Sequence, residues 1–215
     1  MKRIAYMVIR NIFHVPVWFY KICRFGKHKD IYPEEERYSL LRHIVKTVNR
    51  TGRVTVEAHG AEHIPKEDGF ILFPNHQGLF DVLAVIEANP RPFGVVIKKE
   101  AADIILVKQV VRLLGGQSID REDVRSSVTV ISQMAEEVKE GRNYLIFAEG
   151  TRSRNGNEIL DFKGGTFKSA LRAKCRLFLW RSSIALSPLI FPSIKRETVQ
   201  VHFLEPIFYE QLYRD

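Results

Sequence analysis

The chain has 215 residues, 45% of them hydrophobic, with a net charge of +8. That length suits one domain plus an appendage, and the apolar share is enough for a sizeable core. The surplus of cations favours an anionic partner, but it is spread along the chain, and no RNA-binding signature, zinc-finger spacing or internal repeat accompanies it, which argues against nucleic acid.

Residues 1–26 are apolar and aromatic, from Ile4 to Trp18, Phe19 and Ile22, with Lys2, Arg3, Arg10, Lys21 and Arg24 interspersed. A membrane span needs about twenty mostly uncharged residues, and Arg10, Asn11, His14 and Pro16 interrupt this stretch. No clear signal-peptide core or cleavage site is present. The pattern predicts an interfacial helix, its apolar side chains in the acyl boundary and its cations among anionic headgroups. A helix docked on its own domain and a single-span anchor are the competing readings. Cys23 lies here and Cys175 far away; they match no metal-ligand or redox spacing and read as small apolar residues in a reducing compartment. Residues 34–50 predict a second helix through Leu40, Leu41, Ile44 and Val45. The expected organisation is a helical pair over 1–50 and an α/β domain over 51–215.

From residue 51 the pattern alternates. Strands are predicted at 54–58, 70–74, 93–98, 117–119, 144–148 and 198–204. Helices are predicted at 80–88, 101–114, 124–139 and 163–174. This is an α/β chain with a mainly parallel sheet flanked by helices. Sites in such sheets gather beyond the carboxyl ends of the strands, so His76, Arg121 and Glu149 are expected on one rim.

Three blocks there carry chemistry. The first is Asn75-His76-Gln77-Gly78-Leu79-Phe80-Asp81. A histidine held by a carboxylate is a general base for a hydroxyl near neutral pH. Five helical steps rotate about 140°, so the pair meets only if His76 lies on a turn and Asp81 opens the next helix. Alone, the spacing also suits an N-capping Asp81 and a loop histidine. The second block, Gly115-Gly116-Gln117-Ser118-Ile119-Asp120-Arg121, offers a guanidinium that matches a phosphate bidentately. Alone, it also suits a surface Asp–Arg pair. In the third, Phe147-Ala148-Glu149-Gly150-Thr151-Arg152-Ser153, Gly150 lets backbone approach a ligand, Thr151 and Arg152 add polar contacts, and Glu149 is a structural carboxylate suited to holding a cation. Lys163 follows at a loop–helix junction, a place suited to anions. The Gly-Lys-Ser/Thr ending of a P-loop is absent. So is a G-x-S-x-G elbow, which removes a serine esterase from consideration.

In this order and spacing the three blocks resemble the glycerolipid acyltransferase family, of the bacterial type that forms phosphatidic acid. The resemblance covers roughly residues 50–175 and resumes at 198–206. It implies a glycerophosphate acyltransferase-like fold with an N-terminal membrane-associating helical pair. It implies that His76 deprotonates the hydroxyl of lysophosphatidic acid while Asp81 orients the ring. That oxygen would attack the thioester of acyl-CoA or acyl carrier protein, without an acyl-enzyme and without a metal or cofactor. Arg121 and Arg152 would hold the acceptor phosphate, with Lys163 as a further anion ligand. Glu149, Gly150 and Thr151 would shape the pocket. Backbone N–H groups near the His76 turn would steady the oxyanion. The expected location is the cytoplasmic face of the cell membrane, held peripherally. Glycerol 3-phosphate or another lysolipid as acceptor, or a disabled membrane-binding relative, are the alternatives.

Residues 175–194 depart from the family pattern, which has a buried strand with a Val-Pro motif there. One permitted codon choice for residues 175–184, read from the third base of the Cys175 codon, gives Pro-Ile-Val-Pro-Val-Ala-Leu-Ile-Asp, the segment expected. A local frame shift with a damaged core strand is therefore the expectation, against simple divergence. The end at Asp215, where the family commonly adds a helix, is expected to be a truncation.

Overall fold

The computed structural model describes residues 2–78, 80–120, 122–153, 158–183 and 194–209, without the side chains of residues 124 and 176–183. Three helices precede the sheet: α1 (Lys2–Arg10), α2 (Val15–Lys27) and α3 (Glu34–Thr51). The single helix expected over residues 1–26 is therefore two. Asn11 makes the break: it is buried, and its side-chain amide donates to Met7 O at 2.8 Å and to Thr51 Oγ1 at 2.7 Å. Pro16 then sits in the first turn of α2, where a missing N–H costs little.

Both N-terminal helices dock on the domain by one face and expose the other. Met7 and Ile22 join the core cluster of Tyr38, Leu41, Ile44 and Val45 from α3. Arg3 is fully buried, donating to Gly52 O and Lys195 O, each at 2.9 Å. Ile9 and Phe13 face outward. Because α3 shares this core with Phe70 and Phe80, the boundary expected at residue 50 corresponds to no break in packing.

The remaining elements alternate: β1 (Val54–His59), β2 (Phe70–Pro74), α4 (Phe80–Ala88), β3 (Gly94–Lys98), α5 (Ile105–Leu113), β4 (Gln117–Ile119), α6 (Val124–Lys139), β5 (Tyr144–Ile146), α7 (Gly164–Ala173), β6 (Arg176–Ser183) and β7 (Glu197–Phe203). A 3-10 turn over Lys99–Asp103 replaces the start of the helix expected at 101–114. The seven strands form one sheet in the order β1-β7-β6-β2-β5-β3-β4. Every neighbouring pair is parallel except β6–β7. Strand β2 is buried throughout, as a parallel strand covered on both faces must be. Its alternate side chains divide accordingly: Phe70 and Leu72 pack with residues of α3, α4 and α5, Ile71 and Phe73 with residues of α6 and α7.

The segment expected to be damaged is paired. β6 runs parallel to β2 from Phe70↔Arg176 to Pro74↔Trp180 and antiparallel to β7 from Trp180↔Phe203 to Ser183↔Gln200. The apolar run Leu177–Trp180 thus enters the sheet as a backbone ladder. Residues 184–193 and 210–215, with the rest of the frame-shift segment and the expected truncation, lie outside the described residues.

The strand directions define the edge that matters. β6, β2, β5, β3 and β4 all end on one edge, and β1 and β7, running the other way, begin there. The opposite edge is tied by Arg142. Its guanidinium meets Glu34 at 3.1 Å, Glu137 at 2.5 Å, the Tyr144 hydroxyl at 2.8 Å and the carbonyls of Leu114 and Gly115 at 2.8 and 2.9 Å. Burial alone would raise the Glu137 carboxyl, but the Tyr144 hydrogen bond and the Arg142 charge hold it below its ordinary value. The stability this adds is complete above the ordinary glutamate range and is lost as pH falls through the lowered value. Replacing Arg142 with Ala leaves partly buried partners uncompensated and should cost about 3–5 kcal/mol. Urea unfolding at neutral pH checks this, and the gap between variant and parent should close on acidification.

Candidate active site

Strand β2 ends at Pro74 and delivers His76 on the turn that follows; Asp81 is the second residue of α4. This is the strand–turn–helix placement in which the pair can meet, and it does. His76 Nδ1 lies 2.8 Å from Asp81 Oδ2. A carboxylate only accepts, so Nδ1 carries the hydrogen and Nε2 keeps the lone pair of the neutral ring. Asp81 is fully buried, and the same Oδ2 accepts from Gln77 N at 2.7 Å and Gly78 N at 2.9 Å. The Phe147 ring stacks on the imidazole at 3.9 Å and 25°. With one ring face and Nδ1 covered, 18% of the His76 side chain stays exposed.

Glu149 follows the neighbouring strand β5. It is buried, and both oxygens are engaged by backbone: Oε1 by His76 N at 2.7 Å, Oε2 by Leu160 N at 3.1 Å. These two bonds tie the histidine turn to the loop that leads into α7. Ser153 N donates back to His76 O at 2.8 Å, so residue 76 is held through both its backbone groups. One further expectation changes here. The N–H groups of His76, Gln77 and Gly78 are all committed to carboxylates, so none of these three is free to meet an oxyanion.

The third block closes around this turn. Gly150 has φ +68°, a left-handed conformation that suits glycine. A Cβ there would lie 3.4 Å from Lys163 Cε, so the lysine stem runs over the glycine. Lys163 N donates to Ala148 O at 2.9 Å. Thr151, Arg152 and Lys163 are exposed, and the structure brings them to the same edge as His76. Arg121 lies outside the described residues. The strand before it, β4, ends three strand spacings from β2, about 14 Å.

Sequence reasoning missed two groups. Phe147 opens its block in the sequence, and its signal there is an aromatic just past the end of a strand bordering the histidine turn. Lys98 and Lys99 leave β3 on the active edge, between β5 and β4. Lys98 pairs with Glu100, and Lys99 Nζ reaches Asp120 Oδ2 at 3.1 Å. The hydrogen bond from Lys99 to Asp120 raises the lysine ammonium above its ordinary value.

A family model described as Acyltransferase matches residues 55–191. The 1-acyl-sn-glycerol-3-phosphate acyltransferase of Borreliella burgdorferi is 30% identical over 135 residues, covering 63% of this chain and 54% of that protein. The human 1-acyl-sn-glycerol-3-phosphate acyltransferase alpha is 29% identical over 140 residues, covering 65% and 49%. A Helicobacter pylori protein of the first name is 28% identical over 150 residues, covering 64% and 62%. The chain spans about half the length of the first two relatives. The crystal structure of a 1-acyl-sn-glycerophosphate acyltransferase from Thermotoga maritima superposes with a TM-score of 0.78 over 100% of this chain and 90% of that one, at 20% identity, which establishes the fold.

Glu149→Gln replaces one acceptor oxygen with an amide NH2 aimed at a backbone donor. An unsatisfied buried donor costs about 1–3 kcal/mol. Amide hydrogen exchange over residues 70–80 and 158–164 should accelerate; unchanged exchange would show that the clamp is dispensable.

Proposed function

The chain belongs to the acyltransferase family, and from that premise we propose that it transfers a fatty acyl group from a thioester carrier to the free hydroxyl of 1-acyl-sn-glycerol 3-phosphate, giving phosphatidic acid. The observation that carries this reading is the 2.8 Å contact between His76 Nδ1 and the buried Asp81, which leaves Nε2 as the base.

The chemistry balances without an acyl-enzyme. Nε2 accepts the hydroxyl proton as the oxygen attacks the thioester carbonyl. The tetrahedral adduct collapses, the C–S bond breaks, and the imidazolium returns the proton to the departing sulfur. Asp81 steadies the charged ring while it exists. Arg121, Arg152 and Lys163 hold the acceptor phosphate, with Thr151 adding a polar contact. Gly150 keeps the backbone close, and Glu149 fixes the turn from behind. A general base supplies about 10²–10⁴-fold, so the rest falls to holding two substrates in register. The donor is acyl-CoA or acyl carrier protein, both acidic thioesters suited to a chain of net charge +8.

In the same reading, α1 and α2 lie in the membrane interface and hold the protein peripherally on the cytoplasmic face. Phe13 is 89% exposed and Ile9 66%. Among the described residues no helix is long and apolar enough to cross a membrane.

Label from an acyl donor should appear in phosphatidic acid when lysophosphatidic acid is the acceptor, and His76→Ala should reduce the rate by about 10²–10⁴-fold. Asp81→Asn should fall in the same direction. A well-folded protein giving no product from a panel of lysolipids would sink the catalytic reading in favour of a membrane-binding relative. Arg152→Ala and Lys163→Ala should raise KM for the phosphorylated acceptor more than they lower kcat. Equal loss on an acceptor without phosphate would contradict that assignment.

A further inference from the structure

Phe147 is the first residue past β5, and that strand runs parallel to β2 with Leu145 opposite Leu72. The two chains therefore leave the sheet side by side on the active edge. Gly150 N donates to Phe147 O at 3.1 Å, which closes a tight turn over 147–150. Within that turn Glu149 Oε1 accepts from His76 N at 2.7 Å. The Phe147 ring lies on the imidazole, with centroids 3.9 Å apart and planes 25° from parallel. The same ring packs against the core cluster that includes Leu72 and Phe80, which keeps it in place. One turn thus holds His76 both by its backbone and by the face of its side chain.

We propose that Phe147 is a positioning residue for the acyl transfer: its ring face fixes the His76 imidazole and stabilises the imidazolium formed when Nε2 takes the acceptor's proton. The inference rests on the general-base reading given above and adds a residue to it. Asp81 meets the ring at Nδ1, in the ring plane, whereas Phe147 covers a face. A proton taken up at Nε2 spreads its charge over the whole imidazole. The electron-rich face of a phenyl ring attracts that cation, whereas a neutral imidazole gains chiefly dispersion from it. The contact is therefore stronger after the proton has moved than before. Only an interaction of that kind accelerates a chemical step. With 18% of the His76 side chain exposed, water screens the attraction little. An aliphatic side chain of similar bulk would fill the same space and supply none of this difference.

The test uses the full chain with pentafluorophenylalanine in place of Phe147, which keeps the shape of the ring and inverts the polarity of its face. Phe147→Leu and Phe147→Tyr accompany it. With a labelled acyl donor and lysophosphatidic acid, the fluorinated protein and Phe147→Leu should each lose about three- to thirtyfold in kcat. KM for both substrates should stay level, and Phe147→Tyr should recover most of the parent rate. In proton NMR, the ring protons of His76, assigned by their loss in His76→Ala, should lie upfield under the Phe147 ring current, and Phe147→Leu should remove that shift. Parent protein that gives no product from any lysolipid would overturn the general-base reading and this inference with it. Parent activity matched by the fluorinated protein would overturn this inference alone, because packing is then all the ring supplies. A KM that rises as far as kcat falls would also overturn it, by setting Phe147 against a substrate. Ring protons unmoved by Phe147→Leu would overturn the contact itself.

Discussion

Asp81 accepts three hydrogen bonds on a single oxygen, and the geometry of the site follows from them. Its Oδ2 takes His76 Nδ1, Gln77 N and Gly78 N within 2.7–2.9 Å. A fully buried carboxylate must be compensated, and hydrogen bonds to a charged group are worth about 1.5–3 kcal/mol each. The two backbone donors curl the turn around the carboxylate, and that curl brings the imidazole within reach of the same atom. Glu149 repeats the arrangement from the neighbouring strand, taking His76 N on one oxygen and Leu160 N on the other. Two buried acids thus fix one short turn from opposite sides. Asp81 Oδ1 has no hydrogen-bond partner among the described residues.

This economy of donors has a consequence for any acyl transfer at His76. With the N–H groups of residues 76–78 spent on carboxylates, negative charge developing on a thioester oxygen must be met by other groups. The edge exposes Arg152 and Lys163, beside Lys98 and Lys99, which pair with Glu100 and Asp120. The opposite edge has its own charged cluster around Arg142, but there each donor is matched to an acceptor within the fold. One edge uses charge to hold elements together, and the other leaves Arg152 and Lys163 exposed beside its own ion pairs.

The parts legible in the sequence were those where periodicity and local spacing decide structure. The unbroken apolar run of β2, the following turn and the opening of α4 are the placement under which the spacing lets His76 meet Asp81. The sheet direction followed from the strand–helix alternation. What stayed hidden depended on partners far away in the chain. Glu149 is bonded by residues 73 positions before it and 11 after it, through backbone atoms that carry no sequence signature. Asn11 breaks the first helix by reaching Thr51, 40 residues away. The ladder of β6 with β2 likewise depends on backbone groups that every residue possesses, so the side-chain pattern of 176–183 does not announce it.

Arg3 shows the same limit in a single side chain. By sequence it belongs with Arg10 and Arg24 as a cation among apolar residues, suited to lipid headgroups. In the fold it is fully buried, and its guanidinium holds the carbonyls of Gly52 and Lys195 while facing Glu197 at 3.5 Å. Nη1 and Nη2 are engaged while Nε has no hydrogen-bond partner among the described residues, and moving α1 off the sheet edge would break both carbonyl bonds and the approach to Glu197. The helix is therefore a fixed ledge with Arg3 and Met7 on its inner face and Ile9 outward. Membrane contact through Ile9 and Phe13 would then orient the whole sheet edge, and with it the imidazole of His76, relative to the lipid surface. A flexibly tethered helix with the same composition would give affinity without orientation.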